Sequence, residues 1–134
     1  GGTSIDLMQR RAIAQTKMQI VQRGVVDAVE VDVTCLGRFV DAFEERDGQW
    51  GLVTRQLIYE LDRMTPVDPA ARLDLDKELL ASFPIGYRHL AYLQTKVGFT
   101  VNKALPGTRG PEVQALAARM QRWLDGENAA CLEV

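Results

Sequence analysis

Few groups in this sequence can do chemistry. His89 is the whole supply of imidazole, so any acid–base role for that ring rests on it. It lies in a helical stretch beside Tyr87 and Tyr92, where a helix histidine donating one hydrogen bond is the competing reading. Two cysteines, Cys35 in an apolar strand-like run and Cys131 near the end, offer no metal-ligand spacing with a single histidine. No metal and no organic cofactor is expected. A buried reduced thiol plus a second one in a tail is preferred over a disulfide. Asp41 sits between Phe39 and Phe43, where a carboxylate could serve as a base; pairing with a basic neighbour is the plainer alternative. Tyr59, Tyr87 and Tyr92 each join an apolar ring to a polar handle, which suits either a ligand pocket or ordinary packing. Asp74, Asp76, Lys77 and Glu78 read as a solvated helix start, and Arg10-Arg11 as a loop and not an anion site.

The elements that must position these groups divide near Pro66. Before it the hydrophobic period is mainly two, and after it mainly 3.6. Ala12 to Gln22 reads as a strand, with a turn at Gly24. Val25 to Glu44 follows as a long run with Val29, Val31, Val33 and Cys35 on one face and a bulge expected at Gly37. Asp47-Gly48 is a strong hairpin signal, and a return strand runs from Gln49 to about Leu61. A two-residue turn there pairs Arg46 with Gln49, Phe43 with Leu52 and Val40 with Arg55. One face then collects Phe39, Phe43, Trp50, Leu52 and Ile58. The other collects Arg38, Val40, Val53, Arg55, Leu57 and Tyr59. Large apolar side chains on both faces imply that both are at least partly covered.

Beyond Pro66 and Pro69, Asp76 caps a short helix through Phe83, and a second helix follows Pro84 and stops at Gly98. Pro111 opens a third, with Glu112 in its first turn and Val113, Leu116, Ala117, Met120 and Leu124 along one stripe that Gly126 closes. The last eight residues read as a frayed tail. The expected organisation is one α+β domain: sheet over 1–65, helices over 66–126, tail over 127–134. The chain has 134 residues, 46% hydrophobic and 25% charged, with a formal net charge of -2. That composition suits a soluble globular domain, and it predicts no general attraction to nucleic acid or to an anionic membrane. With no membrane-length apolar run and no signal-peptide pattern at its start, the expected location is cytoplasmic.

The stretch Gly37-Arg38-Phe39-Val40-Asp41, Phe43-Glu44, Arg46-Asp47-Gly48, Trp50 and Arg55 resembles the hairpin of SnoaL-like proteins in the nuclear transport factor 2 superfamily. Ile58-Tyr59-Glu60 with Asp62-Arg63 looks like the usual exit strand. The region from Pro84 to Trp123 looks like the C-terminal extension of a subgroup without an assigned activity. The resemblance implies a strongly curved antiparallel sheet, a cone or half-barrel, wrapped around helices. It also implies that the family's N-terminal helical part is absent here and that its main acid–base residues lie upstream of Gly1. By spacing from the Asp47-Gly48 turn, Arg55 matches a pocket arginine of the dehydrochlorinase-like relatives. There it could stabilise negative charge developing on a leaving group or enolate. An arginine pairing with a carboxylate on the next strand is the alternative.

Two functions follow from this resemblance. The first is cofactor-independent proton abstraction on a small, mostly apolar molecule, of dehydratase, isomerase or cyclase type. Arg55 and Asp41 would be the catalytic candidates, and Arg38, Val40, Val53, Leu57 and Tyr59 would line the pocket. The second is a non-catalytic module of the same fold that binds a small molecule or dimerises. A homodimer through the sheet is expected in either case, by way of Phe39, Phe43 and Trp50.

Overall fold

Tight turns at residues that tolerate positive φ set the strand order. Asp27 and Ala28 take φ of 48° and 67°, and Asp47 and Gly48 take 52° and 77°. Turns of this hand match the twist of the strands they join. The computed structural model describes residues 2–134 and contains four antiparallel strands in the order β1-β2-β3-β4. They are β1 (Thr3–Met8), β2 (Arg11–Val26), β3 (Val29–Arg46) and β4 (Gln49–Pro66). The sheet is open, with β1 and β4 as its edges. Gly1 lies outside the described residues.

The predicted turn at Gly24 is displaced. Gly24 stays inside β2 opposite Val31, and the chain reverses at Asp27-Ala28 instead. The glycine serves packing: a Cβ there would come within 2.8 Å of Leu93 Cδ1. The return strand also runs past Leu61 to Pro66. A strand absent from the sequence reading, β1, adds to the β2 edge with all six of its residues exposed.

Three helices follow: α1 (Lys77–Ala81), α2 (Arg88–Lys96) and α3 (Pro111–Leu124). Asp76 caps α1 as expected, accepting from the Glu78 and Leu79 amides. Gly98 and Gly126 take φ of 99° and 97° just beyond α2 and α3, where a left-handed residue ends a helix. The expected frayed tail contains a 3-10 turn at Ala129–Leu132, capped by Asn128, with Cys131 and Leu132 packed against the core.

Each face of the sheet carries an apolar cluster. Val26, Val31, Val33 and Cys35 meet Phe83, Tyr87 and the Leu90–Leu93 segment of α2. Ile13, Val40, Ala42 and Ile58 meet Leu116, Met120 and Trp123 of α3. Each fully buried large side chain contributes about 1.5–3 kcal/mol, enough to hold two short helices that would not form alone. Arg11, expected in a loop, fastens the second cluster. Its guanidinium lies 3.7 Å from the Trp123 ring centre, and its Nη1 donates to the carbonyl oxygens of Trp123 and Glu127. Among the described residues no helix is long and apolar enough to cross a membrane.

Candidate functional site

β4 decides which side chains share a site, because it carries two extra residues. Phe43 pairs with Leu52 but Ala42 with Thr54, leaving Val53 over; Gly37 pairs with Tyr59 but Leu36 with Leu61, leaving Glu60 over. The second irregularity falls at the glycine expected to carry a bulge. A Cβ on Gly37 would run into the Ile58 carbonyl oxygen. The first was not anticipated, and it shifts the predicted pairing by one residue. Arg46–Gln49 and Phe43–Leu52 stand, whereas Val40 faces Gln56 and Arg55 faces Asp41. A one-residue slip moves a side chain to the opposite face.

The two catalytic candidates are therefore brought together, but on each other. Arg55 Nε donates to Asp41 Oδ1 at 2.8 Å and Nη2 donates to Oδ2 at 3.0 Å, a bidentate pair. The Arg55 guanidinium also lies 4.2 Å from the Phe39 ring centre. Asp41 is 3% exposed, while the Arg55 side chain is about half exposed. The hydrogen bond to Asp41 raises the Arg55 pKa. This pair sits on the sheet face away from α3, with Leu57 beside Phe39. Around it lie Ile5, Leu7, Ala12, Ala14, Phe43 and Trp50, which line an almost wholly apolar depression of about 320 Å³.

The five expected pocket residues separate. Arg38 and Val40 line a groove of about 310 Å³ under α3, with Ile13 and Ile58 on the sheet and Val113 and Leu116 on the helix. Val53 packs against the same cluster. Leu57 goes to the other face with Arg55. Tyr59 borders a second hollow, of about 270 Å³, with Glu60, Tyr87 and Arg109. Arg38 joins the two hollows: its Nη1 donates to Gln15 Oε1 at 2.8 Å, and its Nε lies 3.2 Å from Glu60 Oε1. The groove thus combines apolar walls with the Arg38 guanidinium, the Asp6 carboxylate and the Gln15 and Gln121 amides.

Two tyrosine hydroxyls are committed to the frame. Tyr87 donates to the Asn102 carbonyl oxygen and accepts from the Leu105 amide, and Tyr92 accepts from the Asp76 amide. Burial raises the pKa of Tyr59 and Tyr87.

A third cluster was missed in the sequence, and its centre is Asp62. That side chain is 1% exposed. Its Oδ1 accepts from His89 Nδ1 at 2.8 Å; Oδ2 accepts from the Leu90 amide at 2.8 Å and from the Cys35 thiol at 3.9 Å. The carboxylate acts as a cap for α2 supplied by β4, placed where the helix dipole favours negative charge. It also orients the imidazole, with Nδ1 carrying the proton donated to Asp62. Burial and then the adjacent Asp62 charge push the Cys35 thiol up to about 12, so this thiol is no nucleophile at neutral pH. The available signal was parity: Asp62 pairs with Cys35, and Cys35 had been placed on the apolar face. No group of three or more potential metal ligands occurs among the described residues.

No family model matches the chain. It is similar to several fungal proteins. Pea pathogenicity protein 2 of Fusarium vanettenii is 37% identical over 136 residues, which cover 93% of this chain and 57% of that protein. A PEP2-like protein of the same fungus is also 37% identical, with 94% and 58% covered. An uncharacterized protein of Emericella nidulans is 33% identical, with 93% and 58% covered. The chain thus spans less than two thirds of the length of these relatives.

Proposed function

We propose that this chain is a binding module similar to the SnoaL-like cone fold, holding a small, mostly apolar organic molecule between the sheet and α3. The observation that carries the reading is the groove of about 310 Å³ at that interface. Its size falls at the lower end of small-ligand pockets, and its lining sets Asp6, Gln15, Arg38 and Gln121 among apolar side chains of the sheet and α3. A hydrogen-bond acceptor on the ligand would meet Arg38 or Gln15. Binding is favoured over proton abstraction because Arg55 and Asp41 occupy each other on the opposite face. Neither is within reach of a molecule in the groove, and geometry comes first for any general base.

The test uses Ala117, an exposed residue of α3 that lines the groove without belonging to the core. N-phenyl-1-naphthylamine, a neutral apolar dye, is expected to brighten with the native protein. It should do so far less with Ala117→Trp, whose unfolding midpoint stays near that of the parent. Equal dye binding by both proteins would remove the groove from the function.

The face away from α3 supports a second role, self-association. Ile5 and Leu7 are 66% and 63% exposed, and Leu52 is 51% exposed. Large apolar side chains gathered this closely on one face mark an interaction surface. The charges at its centre, Asp41 and Arg55, cancel within the monomer and so do not repel a second copy. Sedimentation equilibrium is expected to find a dimer that Leu7→Glu dissociates; a monomeric parent protein would end this reading.

A further inference from the structure

The buried charges of this fold are paired, with one exception. Asp41 has both oxygens on Arg55, and Asp62 accepts from three donors. Arg119 is buried as well, with 9% of its surface in water. Among the described residues its guanidinium has no ion pair and no hydrogen bond, and its Nε is sealed from solvent without a partner. A guanidinium stays protonated under all ordinary conditions, so it cannot escape burial by shedding charge. An unpaired buried charge is among the costlier features a fold can carry.

The surroundings are fixed. Arg119 lies on α3 one turn from Leu116 on one side and Trp123 on the other, and both of those are core residues. The Arg119 carbonyl oxygen accepts from the Cys131 thiol at 3.9 Å, which ties the 3-10 turn at Ala129–Leu132 to this point of the helix.

We propose that Arg119 anchors a binding site for a small organic carboxylate. The planar fork of a guanidinium matches two parallel bonds to one carboxylate, and partial dehydration strengthens such a pair. The part of Arg119 that remains in water gives an anion a way to reach it. The site is separate from the groove proposed above, whose lining does not include Arg119.

Benzoate is the probe, with benzamide as its neutral counterpart and chloride at equal ionic strength as the background. At about ten times its dissociation constant, benzoate is expected to raise the thermal midpoint of the parent protein by roughly 5 °C. Benzamide should not, and Arg119→Met should lose the response. In chloride alone, Arg119→Met should unfold at or above the parent midpoint, because it removes a charge without a partner. A second readout needs no variant: the Arg119 Nε–H resonance of the parent protein should move on benzoate titration. The proposal is overturned by a parent protein indifferent to benzoate, or by equal responses in parent and variant. It is overturned too by a marked loss of stability of Arg119→Met in chloride, which would show the guanidinium already satisfied inside the fold.

Discussion

Replacing Asp62 with alanine tests how the helical layer is fastened to the sheet. The carboxylate receives the Leu90 amide and His89 Nδ1, each at 2.8 Å, inside a site where its own exposure is 1%. Water cannot easily replace it. Hydrogen bonds to a charged acceptor contribute about 1.5–3 kcal/mol each, and loss of a helix cap costs about 1 kcal/mol. These overlap at the Leu90 amide, so Asp62→Ala should cost about 2–4 kcal/mol in total. For a chain of 134 residues, each kcal/mol lowers the midpoint by about 3–4 °C, giving a fall of about 7–14 °C. Asp62→Asn keeps one carbonyl acceptor and should lose about half as much. Urea unfolding followed by circular dichroism measures both. A cycle with His89→Ala separates the two donors: the double variant should be less damaged than the sum of the singles. If Asp62→Ala unfolds within about 0.5 kcal/mol of the parent, the carboxylate is not the fastening and the reasoning fails.

Two further outcomes follow from the buried charges. Arg55→Ala should destabilise more than Asp41→Ala, since the first strands a buried carboxylate while the second frees a guanidinium that can turn into water; equal losses in urea unfolding would contradict that order. Cys35 makes stability depend on alkaline pH. Its folded value of about 12 lies above the ordinary 9.0, so the folded chain keeps a proton that the unfolded chain releases. Stability is complete below pH 9 and falls as pH rises toward 12. Between about pH 8 and about pH 10 the urea midpoint of the parent should drop more than that of Cys35→Ala, and parallel curves would refute the shift.

The parts of this fold that could be read in the sequence are those set by local chemistry. Asp47-Gly48 specified a hairpin because a two-residue turn needs positive φ at both positions; Gly98 and Gly126 marked helix ends by the same tolerance, and Asp76 marked one because its carboxylate accepts from first-turn amides. Gly24 misled because the same residue type also serves close packing, here against Leu93. Strand β1 was not seen because its six exposed residues lie at an edge, where burial imposes no pattern. Val53 could not be identified as an extra residue, since nothing in Leu52-Val53-Thr54 differs from regular alternation. Asp62 and Arg119 depend on contacts between distant segments, and a lone charged residue in an amphipathic pattern normally faces water.

The bulge at Val53 has the largest functional consequence. Without it Arg55 would fall opposite Val40, on the side that α3 covers, and a mobile cation would stand beside Arg38 in the groove. The extra residue turns Arg55 outward onto Asp41 and Phe39. Two cationic groups three pairing steps apart are thereby kept on opposite sides of the sheet, each with its own carboxylate: Glu60 for Arg38 and Asp41 for Arg55. The groove is left with a mixed lining, in which Asp6 and Gln121 stand among apolar side chains and the guanidinium is already held by Gln15 and Glu60. Such a site can recognise an acceptor atom on a ligand, yet it keeps no free cation to stabilise an anion formed during a reaction, which is why the geometry fits holding a molecule better than transforming it.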